Sequence, residues 1–175
     1  MLIISSYSLP LAVSKLVSAN ISQGRRRNVY RILKCALIFA LVSGTAAAAI
    51  LYFGADFITG TLLRTPLCIF ALKVLVPVLV IVAVLGVMRG FFQGLGTMMP
   101  SAVSQILEQI VNAIVSVWAA YVLFSYGSKA GALLGNAEDY GAAYGAAGGT
   151  IGTAAGALSA LLFAGFVLVV YLRVF

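Results

Sequence analysis

The chain has 175 residues, 63% of them hydrophobic and 9% charged, and 11 Lys and Arg against 4 Asp and Glu leave a net charge of +7. A soluble domain carries roughly a quarter charged residues, so this chain cannot cover a globular surface and reads as an integral membrane protein. Histidine is absent, which removes the commonest metal ligand and general base, and the basic residues flank apolar runs as in membrane topology, not as in a nucleic-acid-binding patch.

Long, nearly uncharged runs imply helices, because barrel strands would show short segments of alternating polarity. The expected fold is an all-α integral membrane unit over residues 1–175 with about five transmembrane helices, spanning roughly 2–18, 35–55, 67–88, 101–124 and 145–171. Segment 2–18 is short of apolar residues and holds Ser5, Ser6, Ser8, Pro10, Ser14 and Lys15. It is either a tilted, polar-lined helix or one whose start is missing. It has no basic n-region, so it does not read as a secretory signal peptide.

Residues 20–34 read as a charged loop, with Arg25, Arg26, Arg27, Arg31 and Lys34 around the breaker Gly24, anchored on anionic lipid or binding a phosphate. The second span holds the small run 46–49, suited to close helix approach. A loop with Gly60 and Arg64 follows, and then a third span kinked at Pro77, with Lys73 placed to snorkel. Cys35 and Cys68 are expected as small buried hydrophobes, not as a disulfide or metal pair.

Residues 89–100 read as a short loop, turn-prone at Gly90, Gly94 and Gly96, with Pro100 in the first turn of the fourth span. That span carries Gln105, Glu108, Gln109 and Asn112 at i, i+3, i+4 and i+7, one helix face, and then an aromatic belt at Trp118, Tyr121 and Tyr126. Residues 127–144 read as a mixed loop with Lys129, Glu138 and Asp139. In the fifth span Gly148, Gly152 and Gly156 recur every fourth residue, continued by Ala160 and Ala164, a row along which another helix packs closely. The basic excess places the 25–34 stretch, Arg89 and Arg173 in the cytoplasm, which puts the N-terminus outside and the C-terminus inside.

Three stretches resemble the multidrug/oligosaccharidyl-lipid/polysaccharide flippase superfamily. The likeness is to its polysaccharide biosynthesis, stage V sporulation protein B-like branch, related to the lipid II flippases. They are Pro10-Leu-Ala-Val-Ser-Lys-Leu-Val-Ser18, similar to the end of that family's second helix; residues 89–109, Arg-Gly-Phe-Phe-Gln-Gly-Leu-Gly-Thr-Met-Met-Pro-Ser-Ala-Val-Ser-Gln-Ile-Leu-Glu-Gln, similar to its fourth loop and fifth helix; and the small-residue run 145–156, similar to its sixth. The likeness implies helices two to six of one lobe of a two-lobe transporter that works by alternating access in the plasma membrane. Its first helix and second lobe lie outside this chain, and the second lobe is expected from a partner or another copy. The substrate it implies is a lipid-linked glycan. The alternatives are a drug/cation antiporter of the same superfamily and a non-transporting scaffold or orphan fragment.

An acid about two turns into a span, roughly 10 Å from the loop at 1.5 Å per residue, needs a wet cavity or a partner. Glu108, Gln105, Gln109, Asn112 and Lys15 are therefore expected to line a substrate or ion cavity, or else to be structural contacts, with Lys15 or Arg89 as partner of Glu108. Arg89 and Gln93 stand at the cytoplasmic mouth, either meeting the lipid pyrophosphate or serving as a helix end favoured by headgroups. Membrane lipids are the other expected partner. No cofactor, metal or catalytic residue is expected. Glu138 and Asp139 are adjacent and would point apart on a helix, and the glycines of 145–156 follow no strand.

Overall fold

In lipid every backbone polar group must be bonded within the protein, so a spanning segment that is not part of a closed barrel is helical. The computed structural model describes residues 2–57, 69–134 and 137–174. They form α1 (Leu2–Ser22), α2 (Arg26–Phe57), α3 (Ile69–Gly94), α4 (Met99–Leu134) and α5 (Ala137–Val174). Among the described residues four stretches are long and apolar enough to cross a membrane: Arg27–Ala55, Leu72–Gly94, Met99–Lys129 and Tyr140–Arg173. The chain is an all-helical membrane protein, as its composition demands.

The helices run further than the charge pattern suggests. Residues expected as loop at 26–34 form the first turns of α2, and α4 and α5 take in 127–134 and 137–144. A helix of 32 residues is about 48 Å long, well beyond a hydrocarbon core of about 30 Å, so charged turns extend past it without leaving the helix. Residues 58–68, with Gly60, Arg64 and Cys68, lie outside the described residues.

The turns at one end share a chemistry. After α1, Gly24 has φ 68°, the Gly24 amide donates to the Ile21 carbonyl at 2.9 Å, and the Arg25 amide donates to Asn20 at 3.0 Å. After α3, Gly96 has φ 81°, its amide donates to Gln93 at 3.1 Å, and the Thr97 amide donates to Phe92 at 3.2 Å. Both are Schellman closures, in which a left-handed glycine satisfies the last carbonyls of a helix. Pro100 lies in the first turn of α4, where its missing N–H costs no hydrogen bond.

Helix α3 is central and touches α1, α2 and α5, while α4 packs mainly along α5. The apolar core joins Val13 and Val17 of α1, Leu33 of α2, Phe91 and Phe92 of α3 and Ala164 of α5. Close contacts run through small residues. A side chain at Gly90 would meet the Pro10 backbone at 2.5 Å, and one at Gly94 would meet the Ser14 carbonyl at 2.7 Å. Gly90 and Gly94, expected as turn formers, are helical residues that α1 packs against. Only Gly96 makes the turn. Gly44 faces Ala83 and Val80 of α3. In the 46–49 run only Ala48 is buried, so the small row of α2 is Ala40, Gly44 and Ala48.

The α4–α5 pair is antiparallel and follows the row read in the sequence. Gly156 sits against Glu108 and Asn112, Gly152 against Ser116, and Gly148 against Ala119 and Ala120. Cys35 is exposed on α2, contrary to the burial expected of it. A thiol is apolar enough to face a bilayer, so lipid serves in place of a core. Trp118, Tyr121 and Tyr126 are exposed along the far half of α4, as an interfacial belt requires.

The packing row yields a contrast between neighbours. At Gly152 an added methyl meets Ser116 backbone atoms at 2.5–2.6 Å, whereas at Gly149 nothing lies within 4 Å. Gly152→Ala is expected to destabilise by about 1–3 kcal/mol through overpacking. Gly149→Ala is expected to be neutral or to stabilise by up to about 1 kcal/mol through helix propensity. Thermal unfolding of both variants in detergent measures the difference, and equal melting temperatures would refute the packing assignment.

Candidate functional site

The polar cluster of the protein forms where α3, α4 and α5 meet. Arg89 lies one turn before the end of α3, and Ser101, Ser104 and Glu108 follow on α4 at spacings of three and four, which puts them on one face. A terminal guanidinium N–H of Arg89 donates to Glu108 Oε2 at 2.6 Å. Its Nε–H donates to Ser104 Oγ at 3.1 Å, the Ser104 hydroxyl donates to the Ser101 carbonyl at 2.8 Å, and the Ser101 hydroxyl donates to the Arg89 carbonyl at 3.2 Å. The circuit closes on itself. Ser101 and Ser104 are buried, the Arg89 and Glu108 side chains are 17% and 19% exposed, and no buried side-chain polar atom among the described residues lacks a partner.

Each member is held by backbone it does not choose. Gly90, next to Arg89, is clamped against Pro10 of α1. On α4 a Cβ at Gly156 of α5 would lie 2.7 Å from the Glu108 carbonyl and 3.0 Å from Asn112 Cβ. The bare backbone of α5 thus walls one side of Glu108. One turn on, the Ser116 hydroxyl lies 2.8 Å from Asn112 Oδ1 and 3.1 Å from the Gly149 carbonyl, with one hydrogen to give to either.

The stripe read from spacing is therefore divided. Glu108 and Asn112 are half-buried and turned to neighbouring helices, while Gln105 and Gln109 are exposed beside Ile106 and Ile110. Lys15 is exposed on α1 and Gln93 is half-buried near the end of α3; neither belongs to the Arg89–Glu108 circuit. Of the two partners the sequence offered Glu108, the structure supplies Arg89. Ser101 and Ser104 were missed by sequence reasoning. Their signal is the i+3 spacing that leads on to Glu108 at i+4, masked because serine is common in membrane helices.

Chemically the cluster is an anion-holding cation whose resident anion is a carboxylate. Arginine binds carboxylate and phosphate with the same fork of donors, so a phosphate-bearing molecule that reached Arg89 would compete with Glu108. Among the described residues no group of three acidic or thiol side chains could hold a metal. Residues 1–174 match the family model described as polysaccharide biosynthesis protein. No curated protein and no solved structure matches the chain.

Removing one partner of a fully buried pair leaves an uncompensated charge, at about 3–5 kcal/mol and less for this half-buried pair, whereas replacing both by apolar groups is often neutral. Arg89→Leu and Glu108→Leu singly are expected to unfold at lower denaturant than the double variant. A double-mutant cycle in detergent reads this coupling, and simple additivity would show the pair to be energetically idle.

Proposed function

This chain belongs to the polysaccharide biosynthesis protein family, and we propose that it is one lobe of a flippase that carries a lipid-linked glycan across the plasma membrane. The lobe works with a second lobe, from a partner or another copy, by alternating access. The observation that carries this reading is the Arg89–Glu108 pair within a span, a guanidinium fork of the kind that also suits phosphate, bound to a carboxylate. Transport of a polar headgroup needs groups that hold it briefly and release it. The exposed Gln105 and Gln109 amides on the same helix donate and accept, as sugar hydroxyls require. The lipid tail needs no protein path, because it remains in the bilayer.

In this mechanism the pyrophosphate of the lipid carrier displaces Glu108 from Arg89 and loosens the hold of α4 on α3. Gln93 lies on the same end turn of α3. Glu108, once released, becomes the repulsive group that expels the anion after the lobe has rocked. The antiporter alternative asks Glu108 to bind a free cation, and the guanidinium already occupies that place. The chemistry is binding and release, without a covalent step.

Orientation follows from charge. Of the ten basic residues among those described, only Lys73 and Lys129 belong to the end that also carries Asp56, Glu138 and Asp139. The opposite end carries the whole positive excess and is cytoplasmic, with the N-terminus external and the C-terminus inside. In a Cys35→Ser, Cys68→Ser background a cysteine at Lys129 should react with a membrane-impermeant maleimide in intact cells, and one at Arg25 only after permeabilisation. The reverse pattern would invert the proposed topology.

In vesicles carrying the chain together with its second lobe, Arg89→Ala and Glu108→Gln should each lower flipping of a fluorescent lipid-pyrophosphate oligosaccharide by at least about tenfold, the equivalent of 1.4 kcal/mol. Insertion, measured by extraction and protease protection, should be unchanged. Wild-type flipping by both variants would refute the role of the pair.

A further inference from the structure

The first turns of α2 carry a second basic feature, which takes no part in the Arg89–Glu108 cluster. Arg27, Tyr30, Arg31 and Lys34 are all exposed and fall at i, i+3, i+4 and i+7, one face of the helix. Lys34 Nζ lies 4.7 Å from the centre of the Tyr30 ring, close enough for a cation–π contact. Among the described residues the only ion pair is Arg89–Glu108, so no carboxylate holds these three cations. Among the described residues Glu108 is the one acidic side chain at this end, and Arg89 already occupies it.

The same face continues as Ile38, Leu41 and Val42, all exposed. At Thr45 the hydroxyl donates to the Leu41 carbonyl at 2.7 Å, so it bonds its own helix and presents no free polar hydrogen. The face thus changes from basic to apolar along one line. The basic part, from Arg27 to Lys34, rises about 10 Å, comparable with a headgroup layer of roughly 5–8 Å. The apolar part beyond it lies at acyl-chain depth.

We propose that this face of α2 is a binding site for an anionic phospholipid, with the phosphate diester on Arg27, Arg31 and Lys34 and the acyl chains along Ile38, Leu41 and Val42. Charge complementarity selects the occupant. A zwitterionic lipid brings its own cation to three unpaired cations, whereas an anionic headgroup brings none. The apolar continuation separates a lipid from a free phosphate. This lipid is a fixed companion of the lobe, independent of the transported molecule, and the proposal stands or falls apart from flipping.

Cys35, exposed beside Lys34, supplies the probe position. In a Cys68→Ser background the full chain is labelled at Cys35 with a bimane fluorophore. It is placed in phosphatidylcholine vesicles doped with either brominated phosphatidylglycerol or brominated phosphatidylcholine at the same fraction. Each surface cation contributes about 1 kcal/mol toward anionic lipid, or about fivefold. Brominated phosphatidylglycerol should therefore quench at a dose at least about fivefold lower than brominated phosphatidylcholine. The triple variant Arg27→Gln, Arg31→Gln, Lys34→Gln should lose the difference, and Lys129→Gln, at the other end, should keep it. Equal quenching by the two lipids, or a preference that survives the triple variant, would overturn the site. So would complete displacement by millimolar inorganic phosphate, which would mean a free-phosphate site.

Discussion

Helices inside a bilayer gain nothing from hiding apolar surface, since the surrounding lipid is equally apolar, and they hold together by close packing and hydrogen bonds. Close backbone approach is therefore the constraint on which this structure rests. Three contacts meet it with the same device. Gly90 and Gly94 admit α1 to α3, Gly44 admits α2 to α3, and Gly148, Gly152 and Gly156 admit α4 to α5. The polar cluster depends on this packing. Gly156 brings the bare backbone of α5 against Glu108, which leaves Arg89 of α3 as the neighbour able to match its charge.

The legible part of the sequence was what periodicity and composition encode directly. The helical class follows from length and apolarity, and the family membership follows from stretches that include the polar face of α4. The row at 148, 152 and 156 could be read because its spacing of four matches a helix and nothing in it suggests a turn. Gly90 and Gly94 have the same spacing, with Gly86 before them, but they lie beside Arg89 and before Gly96. A glycine-rich, charged stretch reads as loop in water; in this protein the glycines are packing surface and only Gly96 is a turn. The charged turns of α2 were misread for a related reason, because helix ends extend into the headgroup layer with their charges.

The polar face of α4 shows where periodicity stops informing. Residues 105, 108, 109 and 112 share a face about 100° wide at 100° per residue, and the edge of the α5 contact divides it. Glu108 and Asn112 lie on the packed side of that edge, Gln105 and Gln109 on the open side. Spacing places four residues together on a helix, but it does not say which of them a neighbour will cover. That is fixed by the register of α4 on α5, which depends on Gly152 receiving Ser116 and Gly148 receiving Ala119 and Ala120.

The register also decides what the Arg89–Glu108 pair can do. Among the described residues helix α4 packs along α5 over most of its length, and it meets α3 at the Arg89 end through the two serines and the carboxylate. In the proposed mechanism this hold, one ion pair and two hydrogen bonds between the helices, has two arrangements: engaged, or broken with a new anion on the arginine. A continuous apolar seam has no such alternative, because it loosens gradually and selects no ligand. An ion pair within a span is costly to break without replacement. In the proposed mechanism the contact stays closed until a competing anion arrives, and the anion that opens it is the one the same guanidinium then holds.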